Sequence, residues 1–272
     1  MNTFNNINEV IKIGNIPNNS IINADCLEAM KFIKDRSVSM VLADLPYGTT
    51  KAAFDSCIDL DRLWEHYKRI IKPNGAIALF AQTPFDKILG CSNLKWLKYE
   101  WIWEKTQATG FLNAKKMPMK AHESVLIFYD KLPIYNPQKT TGHKPINSYT
   151  KRAAVQNKTE LYGEVKEDIS GGGETDRYPR SVLVFPSDKQ IMKNTPFLHP
   201  MQKPLALCEY LIKTYTNEGD LVLDNVCGSG TTGVAAKRLK RDYILIEQEE
   251  RFYEMTCKRL ELIKDSKEES AI

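Results

Sequence analysis

Two short stretches carry side chains suited to chemistry. Residues 44–47 read Asp-Leu-Pro-Tyr and follow the apolar run Val38-Ser39-Met40-Val41-Leu42-Ala43. A carboxylate, a proline-fixed carbonyl and an aromatic ring at the carboxyl end of a buried strand stand where open α/β sheets hold ligands. Residues 222–233 read Val-Leu-Asp-Asn-Val-Cys-Gly-Ser-Gly-Thr-Thr-Gly, a strand running into a glycine turn and then a helix. Gly228 and Gly230 allow a tight turn and a close approach of backbone to ligand, so the turn suits a nucleoside-bearing cofactor. Glu247 ends the next apolar run nineteen residues after Gly228, where a carboxylate can accept hydrogen bonds from ribose hydroxyls. The spacing of Gly228, Gly230 and Gly233 also fits a dinucleotide fingerprint. Only 39 residues follow Gly233, too few for the rest of a sheet that starts there. The remaining strands are therefore expected from the N-terminal half, in a circularly permuted order.

A parallel sheet would bring these stretches together, and the chain has its pattern. Apolar runs at 21–23, 38–45, 76–81, 97–103 and 124–129 alternate with helical stretches, the trace of strands with helices on both faces. Leu60, Leu63, Trp64, Tyr67 and Ile71 repeat at helical spacing, and Pro73-Asn74-Gly75 is expected to stop that helix. Pro204 opens a second helix with Leu205, Cys208, Leu211, Ile212 and Tyr215 on one face. A strand at 221–226, the glycine turn with its short helix, a strand at 243–247 and a last helix follow.

Residues 131–195 differ: they are polar, broken by Gly171-Gly172-Gly173 and by prolines, and lack a sustained helical period. They read as a region inserted into a catalytic domain built from 1–130 and 196–272. Between Lys131 and Lys193 there are eleven Lys or Arg against seven Asp or Glu, a surplus that fits a solvated surface or a nucleic-acid face.

Composition bounds the rest. A chain of 272 residues, 42% hydrophobic, can bury one substantial core. Its net charge of +4 permits a polyanionic partner without requiring one. The six cysteines form no C-x-x-C pair, which argues against a zinc site or disulfide framework and for reduced thiols in a cytosolic protein. No apolar run reaches membrane length, so neither a membrane span nor a signal peptide is expected.

Residues 44–47 resemble the D-P-P-Y motif of amino-methyltransferases, and residues 224–232 resemble their D-P-F-x-G-S-G-T-T cofactor motif. His199-Pro200-Met201-Gln202-Lys203-Pro204 resembles the H-P-T-Q-K-P segment that precedes the cofactor motif. With the catalytic motif first, a variable segment next and the cofactor motif last, the chain resembles the β-class S-adenosylmethionine-dependent DNA amino-methyltransferases of adenine N6 type. The resemblance implies a Rossmann-like methyltransferase fold: a mostly parallel twisted α/β sheet with helices on both faces, circularly permuted, with an inserted target-recognition region at 131–195. Leu45 replaces the motif's first proline but contributes a main-chain carbonyl. Asn225, Val226 and Met201 replace a proline, a phenylalanine and a threonine.

The resemblance further implies methyl transfer from S-adenosyl-L-methionine to the exocyclic N6 of an adenine flipped out of double-stranded DNA, without a metal. The Asp44 carboxylate and the Leu45 carbonyl would accept the amino hydrogens, and Tyr47, held by Pro46, would stack on the base. Cofactor contacts are expected from Asp25, Cys26, Lys203, Asp224, Val226, Gly228, Ser229, Gly230, Thr231, Thr232 and Glu247. Asp25 with Glu28 fits a helix cap equally well, and Lys203 fits either the cofactor's carboxylate or open surface. His122 and Glu123 read as structural or as outer support for the site.

For DNA, Lys105, Lys115, Lys116 and Lys120 around residues 110–113 are expected at phosphates, with Lys151, Arg152, Arg177 and Arg180 of the insertion. A solvated basic loop is the alternative. The enzyme is expected in the cytoplasm, at the nucleoid of a bacterial cell or a phage-infected host. A homodimer and a restriction endonuclease partner are both compatible with the sequence, which decides neither. A cytosine N4 methyltransferase would use the same geometry, although aspartate rather than serine at the head of the loop favours adenine. The alternative of another class is a nucleic-acid-binding protein that has lost catalysis, as Asn225 and Val226 suggest.

Overall fold

Strand β3 (Val38–Ala43) is buried along its whole length, which requires cover on both faces and strands on both sides. The structure is a computed structural model and describes residues 1–48, 57–151, 169–188 and 202–263. It separates into two compact units, one made of Met1–Asn136 and Ser181–Ile272, the other of Pro137–Arg180.

The first unit is built on nine strands: β1 (Asn2–Phe4), β2 (Ser20–Asn23), β3, β4 (Ile71–Ala81), β5 (Leu97–Thr109), β6 (Lys120–Phe128), β9 (Val182–Phe185), β10 (Leu221–Asp224) and β11 (Asp242–Glu247). They lie in the order β1-β2-β11-β10-β3-β4-β6-β5-β9. Within this sheet, among the described residues, β6 is the one strand antiparallel to its neighbours. The chain leaves β3 towards β4 and leaves β10 towards β11, in opposite directions across the sheet, so the winding reverses between β3 and β10. Helices α1 (Ile7–Ile13), α2 (Cys26–Ala29), α3 (Leu60–Ile70) and α4 (Phe85–Ser92) bury their apolar residues on one face. Helices α5 (Leu205–Tyr215), α6 (Thr231–Arg238) and α7 (Glu250–Glu261) cover the other.

Helix α3 forms where its spacing predicts. Asp59 caps it by accepting from the Asp61 and Arg62 amides, and Leu63, Trp64, Tyr67 and Ile70 are buried. Each such burial contributes about 1.5–3 kcal/mol, so packing rather than propensity holds the helix. Its end differs from expectation. Ile71 already belongs to β4, and residues 73–75 run within that strand across a register shift against β3. A Cβ on Gly75 would lie 2.9 Å from the Ser39 carbonyl, so glycine here admits the irregular pairing rather than stopping a helix.

The second unit contains a short antiparallel pair, β7 (Tyr149–Lys151) and β8 (Ile169–Gly171), with Tyr149 opposite Gly171. Residues 182–185, within the stretch 131–195, pair with β5 of the first unit, which makes β9 the edge strand of its sheet.

Candidate active site

The two chemical stretches meet. β3 and β10 are neighbours, with Met40 opposite Val222 and Val41 opposite Leu223. The loop at 44–47 and the glycine turn therefore leave the same end of adjacent strands at the point where the winding reverses, the crevice in which open α/β sheets bind ligands. Four neighbouring strands, β2, β11, β10 and β3, place Asp25, Glu247, Asp224 and Asp44 at this end.

In the loop, the Leu45 side chain is buried in the core on the face covered by α1–α4, so a leucine serves there as an apolar anchor and leaves its carbonyl to the backbone. Tyr47 donates its hydroxyl hydrogen to Asp44 Oδ1 at 2.6 Å and stacks on Phe85 of α4, with 5.1 Å between ring centroids. Asp44 Oδ2 lies 2.8 Å from Lys203 Nζ.

Lys203 is thus on Asp44, and its ammonium also lies 2.9 Å from Glu123 Oε2. Glu123 Oε1 in turn meets Lys105 Nζ at 2.5 Å and accepts from Gln82 Nε2 at 2.6 Å. Lys120 donates to Gln82 Oε1 at 3.0 Å. The Lys203, Glu123 and Lys105 side chains are no more than 10% exposed, whereas a quarter of Asp44 remains open. Burial lowers the Lys203 ammonium, but Asp44 and Glu123 outweigh it and hold Lys203 protonated. Burial raises the Glu123 carboxyl, but Lys203 and Lys105 leave it below the usual range. Asp44 is raised, chiefly by burial and further by Glu123, while Lys203 and the Tyr47 hydroxyl pull it back.

At the glycine turn, Glu247 accepts from the Gly228 amide and from the Glu249 amide, both at 2.8 Å. One carboxylate therefore fastens the turn to the start of α7. Gly230 has φ +74°, and a Cβ on it would lie 2.6 Å from Thr256 Cγ2, so both the backbone conformation and the packing require glycine. Asp224 accepts from the Val226 amide at 3.2 Å. Its carboxyl is pushed up to about 7 by burial, with Asp44 and Glu247 adding to the rise and Thr232 and the Val226 amide opposing it. Asn225 accepts from Tyr67 of α3 at 2.6 Å, so the residue that departs from the motif ties the turn to the helix below. Burial pushes the Cys26 thiol up to about 11, and Val226 packs on the same core. Ser229 and Thr231 are buried, and both accept from the Arg259 guanidinium of α7. Asp25 caps α2 by accepting from the Glu28 amide at 3.0 Å.

The basic residues divide. Lys115 and Lys116 are exposed in the loop between β5 and β6. Lys105, expected at phosphate, is occupied by Glu123, and its burial takes it out of reach of a polyanion. Arg177 donates to the carbonyls of Lys144, Glu174 and Asp176 in its own unit, so its guanidinium supports the local fold. Arg180 is exposed, Lys151 lies in β7, and Arg152 falls outside the described residues, as do His199, Pro200 and Met201.

Sequence reasoning missed Gln82 and Asp188, and read Glu123 as structural or as outer support for the site without naming its partners. Asp188 is buried, caps α5 by accepting from the Leu205 amide at 3.1 Å and accepts from Gln202 at 2.6 Å. It thereby holds the segment that carries Lys203.

A family model described as DNA methylase, N6_N4_Mtase, matches residues 38–258. The DNA adenine methyltransferase YhdJ of Escherichia coli (strain K12) is 29% identical over 264 residues, covering 89% of this chain and 83% of its own. Among solved structures, the M1.HpyAVI–SAM complex matches with a TM-score of 0.60 at 24% identity, over 89% of this chain and 98% of that one. The PvuII DNA methyltransferase, cytosine-N4-specific, matches with a TM-score of 0.62 at 17% identity, over 94% and 92%. At those identities the two structures speak to the fold. The matched residues take in both the loop at 44–47 and the glycine turn, and the chain belongs to the N6_N4_Mtase family of DNA methylases.

Proposed function

We propose that this DNA methylase transfers a methyl group from S-adenosylmethionine to the exocyclic N6 of an adenine flipped out of duplex DNA. The observation that carries the reading is the adjacency of β3 and β10, which sets the Asp44 loop beside the glycine turn at one crevice. The acidic rim suits this cofactor: burial above all raises Asp224, Asp44 and Glu247 add to the rise, and a ligand bearing sulfonium and ammonium charges relieves the part due to those neighbours. Asp25, Asp224, Glu247 and the backbone at Gly228 and Gly230 would hold it. When bound, it supplies an electrophilic methyl group.

The chain's own groups prepare the acceptor. An exocyclic amine conjugated to a purine ring is a weak nucleophile, and acceptors aimed at its hydrogens localise the lone pair. Among the described residues each oxygen of Asp44 has one side-chain partner, and a carboxylate has about four acceptor positions, so an amino hydrogen can be accepted without displacing Lys203. The Leu45 carbonyl is the second acceptor. Lys203 steadies the ionised form of Asp44 and fixes its orientation, and Glu123 with Lys105 fixes Lys203. Tyr47 offers the base an aromatic surface, with stacking worth about 1–3 kcal/mol against a flipping cost of a few kcal/mol. Contacts to the duplex from residues 131–195 and the β5–β6 loop supply the remainder.

Cytosine N4 transfer is the second reading, favoured by the fold likeness to the PvuII enzyme. Incubation with unmethylated DNA and labelled S-adenosylmethionine, followed by nucleoside mass analysis and modification-sensitive sequencing, separates them. N6-methyladenine at a defined sequence is expected, and N4-methylcytosine would establish the second reading. Cofactor binding without methylation of any DNA would leave a nucleic-acid-binding protein.

A further inference from the structure

The β5–β6 hairpin projects from the rim that carries the active site. β4 and β5 are both antiparallel to β6, so β5 runs in the direction of β3 and β4 and its last residue, Thr109, lies at the end where residues 44–47 leave the sheet. The arms of the hairpin already reach the site, since Lys105 of β5 and Glu123 of β6 are joined to Asp44 through Lys203.

The connection is a structured turn. Gly110 adopts φ +89°, and a single 3-10 turn covers Phe111–Asn113. The Asn113 amide donates to the Gly110 carbonyl at 2.9 Å, and the Lys116 and Met117 amides both donate to the Asn113 carbonyl, at 2.8 and 3.0 Å. This backbone holds Phe111 77% exposed and Leu112 97% exposed. Two large apolar side chains standing side by side in water on a tied turn mark a contact surface. From residue 110 to residue 122 the chain has three lysines and no acidic residue. Protein interfaces are depleted in lysine, whereas an apolar tip flanked by lysines matches a duplex, which presents phosphates outside and a base stack within.

We propose that Phe111 and Leu112 form an apolar wedge that enters the base stack beside the target nucleotide and keeps the duplex open while the base occupies the Asp44 pocket, with Lys115 and Lys116 on the flanking phosphates. The inference rests on the DNA methyltransferase reading above and adds the element that opens the helix. Inserted apolar side chains unstack adjacent base steps, and a base held out of the stack leaves a gap for them to fill.

The test is a Phe111→Ala/Leu112→Ala double variant, assayed on a duplex containing the mapped target and on the same duplex with the target adenine opposite an abasic site. Side chains this exposed contribute little to folding, and an unchanged melting temperature checks that. The expected result is a kcat/KM lower by about tenfold or more on the paired duplex and within about twofold of wild type on the abasic one. Lys115→Gln/Lys116→Gln is expected to weaken binding to both duplexes alike. Equal activity of wild type and the apolar variant on paired DNA overturns the wedge, as does an equal loss on both duplexes. A shift from dimer to monomer in light scattering, without the paired-to-abasic split, assigns the patch to a second copy of the chain instead. Failure of the wild-type protein to methylate any DNA overturns the parent reading, and the wedge with it.

Discussion

Replacing Lys203 by methionine keeps most of the side-chain volume and removes the ammonium that Asp44 and Glu123 share at 2.8 and 2.9 Å. Glu123 keeps Lys105, so the loss falls mainly on Asp44, which retains the Tyr47 hydroxyl. Breaking a buried pair by removing one partner costs about 3–5 kcal/mol. The partly open Asp44 and the surviving Lys105 place this case near the lower figure, a fall in Tm of roughly 6–10 °C for a protein of this size. Asp44 is raised in the wild type while Lys203 holds it down, so deletion moves it further up. Less of the ionised acceptor is then present at neutral pH, and the rate falls by up to about tenfold for each pH unit that the transition moves above the assay pH. The sign follows directly: methyl transfer is lost as pH falls through the Asp44 transition, and in Lys203→Met that acid limb moves to higher pH, with activity partly regained in alkaline buffer. Single-turnover methyl transfer across the pH range, with cofactor affinity by calorimetry alongside, reads both quantities. Superimposable pH profiles for the two proteins would refute the reasoning. An unmoved acid limb with cofactor binding weakened tenfold would place Lys203 on the cofactor's carboxylate.

Three further outcomes follow from the site. Asp44→Ala removes methyl transfer while leaving cofactor affinity by equilibrium dialysis nearly intact, because the carboxylate is assigned to the amine; full turnover would take Asp44 out of the mechanism. Asp224 is raised from 3.8 to about 7, so the folded state binds an extra proton in that window. Stability of the ligand-free protein should therefore fall by about 3 kcal/mol as pH rises from 5 to 8 on this account. In urea titrations at pH 5 and pH 8, Asp224→Asn should flatten this component of the slope, and an unchanged slope would contradict the burial argument. Gly230→Ala forces a Cβ against Thr256 Cγ2 at φ +74° and should weaken cofactor binding. Adding Thr256→Ser should restore part of it by removing that methyl; no recovery would mean that backbone conformation alone sets the requirement.

What the sequence made legible was local. β3 and β10 read directly because strands buried on both faces are continuous apolar runs, and α3 read from its three- and four-residue spacing. The permuted order and the shared crevice followed once two strand-to-loop motifs had to meet in one sheet. β9 was hidden because residues 182–185 form an edge strand with alternating exposure inside a polar stretch. α1 was hidden because it buries Val10 alone. The charge relay was illegible for a different reason: Lys203, Glu123 and Lys105 are distant in sequence and meet only through the β5–β6 pairing and the start of α5. A hint existed in Glu123, a carboxylate abutting the apolar run at 124–128. Asp188 had no local signal, since it caps a helix that begins seventeen residues later.

The central claim, that one crevice presents a base amine to a methyl donor, is tested most directly by a crystal structure with a non-reactive cofactor analogue and duplex DNA carrying the mapped target. The account predicts the target base outside the helix, its exocyclic amine within hydrogen-bond distance of Asp44 and the Leu45 carbonyl, and the analogue along the ends of β2, β11 and β10. A stacked, unflipped target, or an analogue seated away from the glycine turn, would contradict it.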